Sequence, residues 1–250
     1  MGSGLGLGLD LFVADFYGDR EMKPWETLGS ARTPDGTLLS LHQRGEELVI
    51  RADGKDLMSN RAHHSEEEMA RLAPLGSRNG ACVLVGGLGM GYTLRAVLDL
   101  LSRSGRVVVS ELCETVVTWN RGILAPLAGR PLDDPRVTVE IGDVAALMRA
   151  SVARFDAILL DVDNGPEAVV QGTNAWLYGP RGLAAARAAL RPGGALAIWC
   201  AGEAARFEER LARAGFEAET HRLRSRGKRG GARHTIFVGR VPLERRRPQK

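Results

Sequence analysis

Aromatic residues make up only 5% of this 250-residue chain, and lysine appears four times among its 34 basic side chains. Few aromatics leave few platforms on which bases could stack, so single-stranded nucleic-acid binding lacks its usual apparatus. Three cysteines are present, Cys82, Cys113 and Cys200. Their odd number, the lack of a C-x-x-C spacing and their place in or beside apolar runs exclude a disulfide framework and fit buried thiols in a reducing cytoplasm. No apolar run reaches the roughly 18 residues that a membrane span needs. The opening MGSGLGLGLDLFV has no Lys or Arg ahead of its weak apolar stretch, which argues against a secretory signal. Gly6 stands where a myristoylation motif wants Ser or Thr. The expectation is a soluble cytoplasmic protein with no membrane partner.

What is present is ordinary globular material. Hydrophobic residues are 44% and charged residues 26% of 27.0 kDa, enough for one buried core with at most a small appendage. The net charge of +4 is unevenly spread. Residues 222 to 250 hold 11 bases against the single acid Glu244, a net of +10, and the first 221 residues carry −6. A basic end hints at an anionic partner, but arginine is used heavily throughout, so a solvated surface explains it better and nucleic acid is not the expected partner. The charge pattern places the basic end away from the crevice motifs described below.

Residues 1 to about 24 read as a Gly-rich lead-in. LLSLHQ, RGEE, LVIRA and DGKD then alternate apolar runs with turns, the mark of a small β layer. Ser65 is placed to cap a following helix whose first turn carries Glu66, Glu67 and Glu68. From residue 76 strands and helices alternate strictly. The strands are 81–87, 105–111, 136–143, 155–162 and 194–201, and two more near 216–223 and 234–241 form an antiparallel pair. Continuous apolar strands between amphipathic helices predict an α/β fold with a mostly parallel, seven-stranded, Rossmann-like sheet covered on both faces. The expected division is 1–75 for the lead-in, β layer and connecting helix, 76–241 for the donor-binding domain and 242–250 for a basic tail.

Chemistry concentrates at the strand ends. The first strand runs through Gly86-Gly87-Leu88-Gly89-Met90-Gly91 into a helix, a turn that lets a ligand approach the backbone closely. The second ends at Glu111, where doubly wound folds place the acid that holds ribose hydroxyls. The third ends at Asp143 and the fourth at Asp161, ahead of Asp163-Asn164-Gly165-Pro166. Three carboxylates around one crevice suit a cation better than a dinucleotide's pyrophosphate, and a nucleoside bearing a positive sulfonium fits. Asp163 and Asn164 read equally well as substrate contacts or as an Asx turn. Adjacent His63 and His64 have no third ligand spaced to help them, so no metal is expected. Trp119, Trp176 and Trp199 lie in apolar segments and read as core or pocket wall.

The runs VLVGGLGMGYTLRAVL, DDPRVTVEIGD, FDAILLDVDNGP, LYGPRGL and LRPGGALAIW, with DGKDLMSNRAHHSEEEMARLAPL before them, resemble the spermidine synthase family and its methyltransferase relatives. The likeness covers about residues 35 to 241. It implies a class I methyltransferase fold with S-adenosylmethionine or its decarboxylated form as co-substrate. It further implies that Gly86, Gly87, Gly89 and Gly91 border the donor, that Glu111 holds its ribose, that Asp143 holds the adenine amino group, and that Asp161 deprotonates and orients the attacking amine. Tyr178, after the catalytic loop, is expected to close over substrate as part of a lid spanning 165–180.

Three positions depart from the family pattern. Gly89 stands where the family's G-G-G-D-G-G has an Asp that contacts the aminopropyl amine. The second Asp of its D-S-S-D-P motif is here Asn164, with Asp163 one place earlier. Glu66 falls where Y-x-E-M has its Tyr. The expected reaction is alkylation of a small amine, with aminopropyl transfer favoured by the likeness and methyl transfer favoured by Gly89. A non-catalytic nucleoside-binding protein with a basic tail on nucleic acid is the rival of a different class. A homodimer is allowed by the sequence.

Overall fold

The computed structural model describes residues 23–75, 79–161, 175–202, 204 and 206–243. Its first four strands, β1 (Glu26–Arg32), β2 (Leu38–Arg44), β3 (Glu47–Ala52) and β4 (Lys55–Ser59), form an antiparallel sheet in sequence order. β3 turns into β4 through Asp53 and Gly54, both at positive φ (47° and 77°). Two such residues bend the chain with the twist that paired strands require.

Helix α1 (His64–Leu72) leads to the second sheet. This comprises β5 (Cys82–Gly86), α2 (Tyr92–Leu100), β6 (Arg106–Glu111), α3 (Glu114–Arg121), β7 (Val137–Ile141), α4 (Val144–Arg149), β8 (Phe155–Leu160), α5 (Ala175–Tyr178), α6 (Pro180–Ala189), β9 (Leu190–Cys200), α7 (Phe207–Arg213), β10 (Glu217–Arg224) and β11 (Arg233–Arg240). The strand order is β10-β11-β9-β8-β5-β6-β7. β5 to β9 pair in parallel, and β11 runs antiparallel to both its neighbours. This is the class I methyltransferase-like α/β fold, a seven-stranded sheet with a smaller antiparallel one before it.

Side chains alternate across a strand, and here both faces are covered. Val83, Val85, Val107, Val109, Ala157 and Leu159 point into one core, which α1, α2, α3 and the small sheet's Leu39, Leu41, Leu48 and Ile50 complete. Leu84, Val108, Ile158, Leu160, Leu196 and Ile198 point into the other, closed by α4, α6 and α7. All six residues of β8 are buried, including Asp156. That acid is tolerated because it accepts from the Cys82 amide (2.8 Å) and from Arg191 (2.5 Å), tying β8 to β5 and β9 at one end. Among the described residues no helix is long and apolar enough to cross a membrane.

Two local expectations need correction. Ser65 does not cap α1: His63 stands in the capping position without a side-chain cap bond, and the helix starts at His64, whose N–H donates to Ser225 O across the fold. A tertiary contact thus takes over the work of a local cap. β9 also begins at Leu190 rather than 194, because Leu190 pairs with Phe155 before a shift of register carries the chain on.

Candidate active site

Parallel pairing sets the carboxyl ends of β5, β6, β7 and β8 side by side. Gly86 pairs with Ser110 and Leu160, and Glu111 with Ile141. The order turns back on itself at β5, where open sheets of this kind leave a ligand crevice. A cavity of about 880 Å³ opens there, reaching from β2 and β3 across to Trp176, Trp199 and His234. That volume is large enough for a nucleoside and a small second substrate.

The loop after β5 forms its floor. A Cβ on Gly86 would lie 2.8 Å from Val144 Cγ2, so no side chain fits. Gly87 and Gly89 line the cavity, and Gly91 lies behind it as the residue preceding α2. Gly89 has φ +53°, and a Cβ there would meet Met58 Cε at 2.7 Å and Sδ at 2.9 Å. The thioether of β4 therefore covers the place where a longer side chain would stand. Glu111 braces the loop: one carboxylate oxygen accepts from the Leu88 amide (2.8 Å) and the other from the Cys113 amide (2.9 Å). Glu111 also lines the cavity. Asp143 precedes α4 and accepts from the Ala145 amide at 2.8 Å.

The fourth strand end holds a pair of acids. Asp161 Oδ2 accepts from Thr93 Oγ1 at 2.8 Å, and Glu66 of α1 lines the same wall. Loss of hydration raises both carboxyls above their ordinary range, and the charge of Asp161 raises Glu66 further. Hydrogen bonds from Thr93 to Asp161 and from Ser65 to Glu66 oppose this. Two like charges at one place hold a shared proton readily and are satisfied best by a cation. The acid-rich wall agrees: Asp35, Glu47, Asp56, Glu66, Glu111, Asp143 and Asp161 stand against Arg149 and Arg226.

The raised carboxyls tie stability to pH. Folded, the pair keeps protons that an unfolded chain, with carboxyls near about 4, has already released. Its contribution is thus most favourable at low pH and declines as pH rises through the raised values of the pair. Asp161→Asn is expected to gain in Tm relative to the native protein between about pH 4 and about pH 8, as followed by calorimetry. A Tm difference independent of pH would show that burial does not raise the Asp161 carboxyl.

Several placements were not foreseen. Tyr178 does not border the cavity: it is 1% exposed and meets Phe207 edge-on at 6.1 Å. Packing of α5 on α7 makes it a core residue, which corrects the expectation that it closes over substrate. Asp163, Asn164 and most of the expected lid lie outside the described residues. The basic hairpin is not remote either, since Ser225, Arg226 and His234 form part of the cavity wall. Trp176 and Trp199 line the wall and Trp119 is buried in the core, in keeping with their apolar segments. Thr93 and Met58 were missed. Thr93 carried a signal, following the glycine loop in the first turn of α2; Met58 carried none, because it arrives from the other sheet.

The family model for the spermine/spermidine synthase domain matches residues 62–210. Among curated proteins, the polyamine aminopropyltransferase of Mycobacterium tuberculosis (strain CDC 1551 / Oshkosh) is 32% identical over 161 residues, covering 62% of this chain and 29% of that protein. Putrescine N-methyltransferase 2 of Nicotiana attenuata is 35% identical over 115 residues, covering 45% of this chain and 30% of that protein. The chain thus spans under a third of the length of these two relatives. The crystal structure of spermidine synthase from Thermotoga maritima superposes with a TM-score of 0.69 at 19% identity, over 87% of this chain and 74% of that one. With the family match running from α1 through the glycine loop, Glu111, Asp143 and Asp161 to the start of α7, the chain belongs to the spermine/spermidine synthase domain family.

Proposed function

We propose that this protein is a cytoplasmic transferase that moves an alkyl group from a sulfonium nucleoside to a small amine, and that aminopropyl transfer from decarboxylated S-adenosylmethionine is its reaction. The observation that carries this reading is the Asp161–Glu66 pair set beside the glycine loop. An amine of pKa about 10 arrives protonated. One carboxylate takes a proton from the nitrogen and the second keeps the nitrogen aimed at the sulfonium carbon, so that an in-line attack begins from a positioned pair. Glu111 holds the donor's ribose, Asp143 its adenine amino group, and Gly87 and Gly89 leave room along its length. Residues 76–241 form the donor domain, with 1–75 before it and 242–250 as a basic tail.

A second reading is favoured by Met58 over Gly89. A thioether there offers no charge to a donor's terminal amine, which suits methyl transfer from S-adenosylmethionine. Calorimetric titration with each donor separates the two. Binding of the decarboxylated form at least about tenfold tighter, a difference of 1.4 kcal/mol, supports aminopropyl transfer. Binding of S-adenosylmethionine alone overturns it in favour of methyl transfer.

A further inference from the structure

Behind Glu66 lies a chain of hydrogen bonds that the transfer step does not call on. Ser65 Oγ is 2.6 Å from Glu66 Oε2 and 2.7 Å from His234 Nδ1, and the indole N–H of Trp199 donates to it at 3.1 Å. Ser65 is fully buried. A hydroxyl has one proton to give and two lone pairs, so these three partners use all of its capacity. Two proton arrangements satisfy every partner. In one, a protonated Glu66 donates to Ser65, which donates to a bare Nδ1 of His234. In the other, Ser65 donates to ionised Glu66, and a protonated Nδ1 donates to Ser65. Trp199 donates in both. The arrangements differ only by one proton moved from Glu66 to His234.

We propose that Ser65 and His234 form a relay that carries the proton released by the acceptor amine from Glu66 out to the cavity, with His234 the positioning residue at its open end. The inference rests on the transfer reaction proposed above. A protonated amine gives one proton to the carboxylates of Asp161 and Glu66, where Glu66 holds it, and the nitrogen keeps its lone pair. That pair forms the new N–C bond as the C–S bond breaks, and the electrons of the broken bond stay on sulfur as a neutral thioether. Glu66 passes its proton to Ser65 Oγ while the Ser65 proton moves to His234 Nδ1, and the imidazolium gives its Nε2 proton to water. One proton leaves per transfer.

The surroundings suit this path. Trp199 meets the His234 ring edge-on at 4.6 Å, which fixes its plane, and His234 lines the cavity on the same hairpin as Arg226. Burial holds His234 below the ordinary histidine value, so the imidazolium sheds its proton promptly. On the other side Glu66 is faced by Asp161 and by Glu67 of its own helix. Tyr92 of α2, pushed up to about 12 by burial and by Glu67 and Glu66, stays neutral. Glu67 is itself occupied by His63 at 2.8 Å.

His234→Gln keeps a polar side chain that does not titrate, and Ser65→Ala removes the link. Each is expected to lower kcat about a hundredfold, with KM for donor and amine nearly unchanged and an altered pH profile. The double variant is expected to be no slower than either single one, because both break one path. Additive losses, or a native pH profile in His234→Gln, would overturn the relay. A readout free of turnover is nitrogen NMR of His234 across pH: Glu66→Gln is expected to shift its titration, and no shift would overturn the coupling. If the native protein turned over neither donor while this NMR coupling persisted, the transfer reading would fail and the Glu66–Ser65–His234 coupling would stand.

Discussion

Asp161→Asn is expected to lower turnover by about 10² to 10⁴-fold, the usual worth of a positioned acid or base, while donor affinity stays close to native. Asn keeps the size of the side chain and can still accept from Thr93, which donates to Asp161 at 2.8 Å. What it loses is the ability to take a proton and to offer a charge to an ammonium. Glu66 then stands alone. Freed from the repulsion that Asp161 exerts on it, it ionises at lower pH, so the residual rate is expected to rise with pH from a more acidic midpoint than in the native enzyme. Rapid-quench turnover and calorimetric donor titration on the same variant check both halves. Turnover within about threefold of native would remove Asp161 from the chemistry, since the expected loss is at least tens of times larger.

Glu111→Ala is expected to abolish measurable donor binding. In the donor pose proposed above, each hydrogen bond from a ribose hydroxyl to this carboxylate is charge-assisted and contributes about 1.5–3 kcal/mol, so loss of two weakens binding by roughly a hundredfold or more. The substitution also strips the acceptors from the Leu88 and Cys113 amides. The glycine loop then keeps its backbone bond from Gly87 N–H to Ser110 O of β6 but loses the side-chain brace, and unpaired buried N–H groups lower stability by about 1–3 kcal/mol each. Glu111→Gln separates the two effects. Its single oxygen serves one amide while its NH₂ opposes the other, so stability falls less than in Ala and donor binding is still lost. Equilibrium dialysis with the donor, beside a urea melt, reads both. Native affinity in either variant would contradict the placement of the ribose at Glu111.

Much of this arrangement is legible in sequence, because the strand ends speak locally. Continuous apolar runs such as VLV, VVV and AILL, each followed within two residues by a glycine or an acid, set the parallel order and put Glu111, Asp143 and Asp161 on one edge. What sequence withholds are contacts between distant segments. Glu66 and Asp161 stand 95 positions apart, and only family likeness marked Glu66. Met58 reaches Gly89 from the other sheet, and no spacing rule connects them. Ser65 read as a helix cap because cap residues are judged by neighbours in the chain, whereas its partners, Trp199 and His234, lie in β9 and β11. Tyr178 read as part of a lid because it follows the catalytic loop, although Phe207 buries it from a helix further along the chain. Charge counting set the basic hairpin apart from an acidic body, yet the fold brings Arg226 and His234 to the cavity wall.

In the proposed reaction, Asp161 after β8 and Glu66 of α1 together prepare an amine for attack on a sulfonium donor. Single-turnover incubation with decarboxylated S-adenosylmethionine, with and without putrescine, tests it directly by following the thioether nucleoside product. The expected result is release of methylthioadenosine that depends on the amine, with matching N-aminopropyl product, and neither product from Asp161→Asn on the same timescale. Donor that binds and is released unchanged in the presence of the amine would contradict it.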